Sequence, residues 1–414
     1  MIMFMPRKRQ RAWFQSVVVP VQVRVRWSTQ VRFVRRTWLS RALYVMASIR
    51  SVLFTVSKTT IYDCMRVHVF VVLACLSASV LGLIGCSTED GRSQENSLVA
   101  TSVVEAVGGD RFMEHVWAMH KSGDVLYLSG QGYGHILALD DDLSVIRTFG
   151  RSGEGPGEFS GAPRNLYAEG NRVFGLQGAS NDIHAFSLEG DYLRSFSVDP
   201  KAVIWSQGIS VNNQGDVYVA NSFPVVPYSI TKFDSSGTVI KTFGELLTTS
   251  YSETFNRRLS GRLITLIINK YLLAVGLSIP VIEKYSLDGE LIQSSDLSDT
   301  PYFRERLDYA EDSYSQADGG RGGIVSVISH MATLNSRLYL IPIEGHAEVG
   351  LRVNRLLEID VESLNLLNAY TLLDHQEEPL RWVEAFEFVS EDELLVFHYT
   401  DGMFYRYEDI DLIQ

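Results

Sequence analysis

An all-β fold is what this 414-residue sequence predicts, and three observations carry the prediction. Short strands of Val, Ile, Leu, Tyr and Phe alternate with polar residues, and Gly, Asp and Ser turns join them into hairpins. The hairpins recur at a fixed period. Residues 144–149, 191–196 and 238–243 each end in a phenylalanine (Phe149, Phe196, Phe243), and these lie 47 residues apart. Each of these segments is preceded by a turn and another alternating strand, as in residues 183–190 and 230–237.

Composition divides the chain before the repeats begin. Residues 1–64 hold 12 basic residues and one acid, whereas the remaining 350 carry 25 basic and 48 acidic groups. So acidic a body excludes nucleic acid as a partner, because phosphate binding needs a positive footprint. All three cysteines (Cys64, Cys75, Cys86) lie in the first quarter, so the body has no thiol for a disulfide, a zinc knuckle or a nucleophile. Met65 and Arg66 followed by an apolar stretch to Ile84 describe a secretory signal, residues 65–85. Its end, Leu83-Ile84-Gly85-Cys86, resembles the lipobox of bacterial lipoproteins. That resemblance implies a diacylglyceryl group on Cys86 and cleavage just before it. Several acyl chains give durable anchoring where one is marginal. Residues 1–64 then read as an upstream mis-start without structure, and 86–97 as a tether. Ser87 beside the lipidated cysteine favours the outer membrane by analogy with bacterial sorting.

The repeat fills residues 98–414. Units near 115–149, 163–196, 203–243, 262–295 and 325–370 each read as three or four short strands. A sixth, at 382–407, is one strand short, to be completed by either residues 97–104 or 410–413. One twisted four-stranded sheet cannot bury both faces, so neighbours must stack around an axis. A repeat of this length predicts a six-bladed β-propeller of four-stranded antiparallel blades. Gly150-Arg151-Ser152-Gly153-Glu154-Gly155-Pro156-Gly157-Glu158-Phe159, with Pro163 after it, resembles the inter-blade connection of NHL-type propellers. Residues 215–222 are similar to one of their strands, of the form dG.iYVaDs. The spacing is broken once, between units 4 and 5, where residues 297–323 predict an inserted loop or short helix over one mouth of the channel. Pro301 at its start and the glycines at 319–323 suit a helix and a flexible return.

The bland readings of several motifs prevail. The glycines of 150–157 precede a β-type unit rather than the helix that a phosphate loop requires. Asp140-Asp141-Asp142 lacks the spacing of a calcium loop and reads as a hairpin turn. The histidines of the body are scattered singly. In each blade the innermost strand starts at the loop-bearing mouth, which makes the starts candidate binding residues. These are Arg164 and Asn165 in unit 2, Trp205 and Gln207 in unit 3, His330 in unit 5, and Trp382 and Glu384 in unit 6, with Arg306 from the insertion. Aromatic rings beside Arg, Gln, His and Glu suit a glycan or peptide.

The resulting expectation is a lipid-anchored, extracytoplasmic, monomeric propeller that binds a protein, peptide or glycan, a binding role being favoured over catalysis. One alternative is a metal-dependent hydrolase or lyase. Its Ca²⁺ or Zn²⁺ would sit on the axis, as in the related gluconolactonase-type hydrolases and amidated-peptide lyases. The other alternative is a structural assembly factor at the membrane. The sequence itself requires no cofactor. Cys86→Ala is expected to abolish incorporation of labelled fatty acid, whereas expression from Met1 and from Met65 gives one mature amino terminus. Absence of label in the parental protein would overturn the anchor.

Overall fold

The computed structural model describes residues 96–177, 182–198, 208–220, 228–249, 252–267, 270–317, 324–346, 350–410 and 412. The chain opens with β1 (Asn96–Val99) and β2 (Ser102–Val104). Blade 1 is β3 (Val116–Ser122), β4 (Val125–Gly130), β5 (Ile136–Leu139) and β6 (Val145–Phe149). A short parallel pair, β7 (Arg151–Ser152) with β8 (Glu158–Phe159), lies in the connection to the next blade. Blade 2 is β9 (Pro163–Glu169), β10 (Arg172–Gln177), β11 (Asp182–Ser187) and β12 (Tyr192–Ser197). Blade 3 is β13 (Ile209–Val211), β14 (Val217–Ala220), β15 (Ile230–Phe233) and β16 (Val239–Phe243). Helix α1 (Glu253–Leu259) leads to blade 4, which is β17 (Arg262–Ile267), β18 (Tyr271–Gly276), β19 (Val281–Ser286) and β20 (Leu291–Asp296). Helix α2 (Pro301–Ala317) separates it from blade 5, which is β21 (Ile328–Leu334), β22 (Arg337–Pro342), β23 (Arg355–Asp360) and β24 (Leu366–Leu373). Blade 6 supplies β25 (Val383–Phe388), β26 (Leu394–His398) and β27 (Met403–Tyr407).

The fourth strand of blade 6 is β2, antiparallel to β27 with Val103 opposite Tyr405. The N-terminal candidate thus closes the ring. Strand β1 does something the repeat does not foretell. It adds in parallel to the outer edge of blade 5, pairing Leu98 with Leu372, and so draws Asn96 and Ser97 out of the expected tether. The two strands join adjacent blades through Ala100 N–H to Leu373 O at 3.1 Å and Thr101 N–H to Arg406 O at 2.8 Å.

Alternation explains why the blades stack. In β4, Leu126 and Leu128 face Leu395 and Phe397 of blade 6, while Tyr127 between them faces Leu166 and Phe186 of blade 2. Successive side chains of a strand leave on opposite faces, so every blade has two apolar surfaces. Six buried clusters result, one at each junction. Polar clasps reinforce them toward the rim, where a long side chain on a third or fourth strand reaches the last turn of the next blade. Arg147 donates to Leu188 O, Lys241 Nζ to Asp288 O at 2.5 Å, Gln293 Nε2 to Ser363 O at 2.9 Å, and Arg406 Nη2 to Asp141 O at 2.5 Å. The accepting turns are held by their own side chains. Asp140 Oδ1 accepts from Ser144 N–H and Asp360 Oδ1 from Ser363 N–H, so the aspartate run at 140–142 is a turn, as its composition suggests.

The Gly-rich segment is an inter-blade connector. Gly157 has φ +74°, and a Cβ there would lie 2.9 Å from the Tyr192 ring, so backbone and packing both demand glycine. The insertion forms α2, starting at Pro301 as the first-turn preference of proline favours. Its Phe303 enters the core between blades 4 and 5, and Ala310 and Tyr314 pack on Phe255 and Leu259 of α1. Helix α1 spans only two turns, too few for its Phe255/Leu259 spacing to stand out in the sequence.

Deleting residues 96–104 leaves the β27 edge unpaired. The expected result is a melting midpoint lower by on the order of 10 °C, from about 3–4 kcal/mol lost, together with aggregation. An unchanged calorimetric midpoint would show that blade 6 is complete without β2.

Candidate functional site

The innermost strands β3, β9, β13, β17, β21 and β25 follow one another around the axis, and β25 returns to β3. Their first residues share one mouth with the turns that follow each second strand and with the connections between blades. At the junction of blades 6 and 1 these pieces converge. Glu384 Oε1 lies 2.6 Å from His115 Nδ1, and its Oε2 accepts from Val116 N–H at 3.1 Å. The His115 ring stacks on Tyr399, with centroids 4.8 Å apart, and Trp382 meets Tyr399 edge-on at 6.4 Å. One residue beyond Val116, the Trp117 ring lies under the Arg164 guanidinium of blade 2 at 5.4 Å. Tyr399 is 44 % exposed and Arg164 is exposed, while Trp117 and Trp382 are half-buried. Burial raises the Glu384 carboxyl above the ordinary carboxylate range, and its bonds to His115 and Val116 pull the other way.

Three of the residues read from the strand starts, Arg164, Trp382 and Glu384, therefore sit at this mouth. The others divide. Asn165 is buried and lines a cavity on the axis. His330 is buried edge-on against Phe386 at 5.4 Å, filling the junction of blades 5 and 6. Arg306 anchors α2, donating from Nε to Ser326 O at 3.0 Å and from Nη1 to Gly345 O at 3.2 Å. Those carbonyls flank the start of β21 and the end of β22, which places α2 on the loop-bearing face. Trp205, Gln207 and Cys86 lie outside the described residues.

His115, Trp117 and Tyr399 escaped the sequence reading, although a signal existed. The strand-start rule that selects Arg164 and Glu384 also selects His115 and Trp117 when applied to blade 1. Tyr399 lies in the turn after a second strand, the other segment that reaches this mouth. Applied to blade 4, the rule gives Arg262, which is fully buried and paired with Glu283 at 2.9 and 3.4 Å. That strand start belongs to the core.

Among the described residues, no group of three or more His, Cys, Asp or Glu side chains converges in a way that could hold a metal ion. No helix among them is long and apolar enough to cross a membrane. No protein-family model and no curated protein sequence matches the chain. Solved structures with similar folds include a protein described as exported from Bacteroides fragilis, at 11 % identity and TM-score 0.49 over 73 % of this chain and 86 % of that one. A streptogramin B lyase shows 13 % identity and TM-score 0.47 over 74 % and 87 % of the two chains. Virginiamycin B lyase from Staphylococcus aureus shows 12 % identity and TM-score 0.46 over 75 % and 89 %. The propeller architecture rests on the six sheets and their closure.

Burial sets a pH signature at His330, whose imidazole is pushed down to about 3 from an ordinary 6.5. Between those values the unfolded chain binds a proton that the folded chain refuses, so stability falls as pH falls. The slope is about 1.4 kcal/mol per pH unit for one such proton. Glu387 has the opposite sign. Burial raises it to about 8, so the folded chain holds the extra proton and stability falls as pH rises toward 8. Denaturant titrations of His330→Phe are expected to show an acid limb flatter than the parent's by about one proton. An unchanged limb would mean that His330 is charged in the fold.

Proposed function

We propose that this chain is an NHL-type propeller, lipid-anchored through Cys86 in the bacterial cell envelope and facing the periplasm or the cell surface, that binds a protein, peptide or glycan at its loop-bearing mouth. The observation that carries the reading is the part-exposed row Trp382, Tyr399, His115, Trp117 and Arg164 across blades 6, 1 and 2. Half-buried aromatic rings offer flat apolar area at small entropic cost, and fixed polar groups beside them orient a ligand. Their positions are set before any ligand arrives, because Glu384 holds both His115 and the backbone of β3. The metal-dependent hydrolase or lyase reading lacks a comparable support, since no donor set converges among the described residues.

The test uses the mature protein against peptide and glycan arrays and against envelope extracts. Tyr399→Ala and Trp117→Ala are expected to weaken capture about tenfold each, corresponding to about 1.4 kcal/mol. Their melting midpoints stay near the parental value. Equal capture by the parent and both variants would remove this mouth as the binding surface.

A further inference from the structure

Farther along the channel lies a cavity of about 130 Å³, and every blade contributes to its wall. Its polar lining includes His120 and Lys121 from β3, Asn165 and Tyr167 from β9, Thr265 from β17, Thr333 from β21 and Glu387 from β25, with Ile209 of blade 3 completing the circuit. His120, Thr265, Thr333 and Glu387 stand late in their strands, whereas the mouth residues stand at the starts, so the two places lie at different depths along the axis. At roughly 30 Å³ per water, the space holds about four water-sized groups.

The chemistry of the wall is specific. His120 Nε2 lies 3.0 Å from Ala168 O, and only a protonated Nε2 can satisfy that carbonyl, which leaves Nδ1 as an acceptor. The ring is held in place by stacking on Tyr167 at 4.1 Å. Glu387 Oε1 accepts from Phe388 N–H at 3.0 Å, and its Oε2 stands 3.8 Å from His120 Nδ1, too far for a direct hydrogen bond. Burial lowers His120 to about 4 and raises Glu387 to about 8, so near neutral pH the imidazole is uncharged and the carboxyl is protonated. The charged group on the wall, Lys121, is paired with Asp141 at 2.8 Å. The cavity therefore presents an O–H donor, a ring-nitrogen acceptor and several hydroxyls, and the charge of Lys121 is compensated by Asp141. A ligand hydroxyl accepts from Glu387 and donates to His120, which spans the gap between them.

We propose that this axial cavity is a binding site for a small neutral polyol of about glycerol size. The site is independent of the mouth and does not rest on the function proposed there. An anion would meet no free cation, and a cation would meet no ionised carboxylate. Hydroxyl groups match the wall in both roles.

The experiment is saturation-transfer NMR on the full purified protein, with glycerol, erythritol and, as a charged comparison, glycerate. Saturable transfer from the two polyols is expected, at least tenfold weaker for glycerate. Trp117→Ala at the mouth leaves the polyol signal unchanged. Thr265→Val/Thr333→Val reduces affinity about tenfold, a loss of about 1.4 kcal/mol. Glu387→Gln, which keeps a neutral donor and acceptor, retains binding, whereas Glu387→Leu loses it. No saturable transfer from either polyol to the parental protein would overturn the proposal without recourse to any variant. So would preference for glycerate, or an equal response from a folded Thr265→Val/Thr333→Val protein.

Discussion

Each blade of this propeller is stable only between two neighbours, and the pairing of β2 with β27 is what gives the last blade its fourth strand. An open array would end in exposed apolar sheet faces, since every blade is apolar on both sides. Closure converts those ends into the junction cluster that joins Phe397 and Phe404 to Leu126 and Leu128. Strand β1 extends the same chain segment onto blade 5, so nine consecutive residues, 96–104, tie two blades together. Tyr407 strengthens this joint by donating its hydroxyl to Leu373 O across the blade boundary.

The polar mouth is a product of that closure. His115 and Val116 belong to the first blade in sequence, and Glu384 belongs to the last. They are 268 and 269 positions apart along the chain and meet only because the ring is complete. A buried carboxyl costs desolvation unless its oxygens are bonded, and Glu384 spends one on an imidazole and one on the first strand's backbone. The same contacts that hold the seam therefore fix the aromatic row above it. The axial cavity has an analogous origin. The innermost strands leave an unpaired edge toward the axis, and the side chains that fill it come from every blade.

Two buried charges illustrate opposite solutions to burial. Arg262 is fully buried, and Glu283 meets its guanidinium with two hydrogen bonds. Removing one partner of such a pair typically costs about 3–5 kcal/mol. Glu387 has no cation so placed and answers by holding its proton. Strand starts and ends thus differ in kind. Starts at blades 6, 1 and 2 reach solvent, the start at blade 4 is sealed by an ion pair, and later positions face a neutral polar space.

Much of the architecture was legible in the chain itself. A 47-residue period, alternation within strands and Gly/Asp turns are local signals, and they determine a blade, because side-chain direction along a strand depends only on parity. The broken spacing after blade 4 announced α2 for the same reason, since an insertion shifts the period wherever it occurs. What the period does not encode is which blade meets which surface across the ring. Arg164, Trp382 and Glu384 were found by position within a blade, and the same rule reaches His115 and Trp117, but that these meet Glu384, Tyr399 and Arg164 is set only by the closed ring. His330 and Asn165 were read from strand starts and Arg306 from the insertion, and tertiary packing sent the first to the core, the second to the axis and the third to a pair of backbone carbonyls. Local pattern fixes the direction of a side chain, whereas its burial depends on neighbours that the chain brings together only in the closed ring.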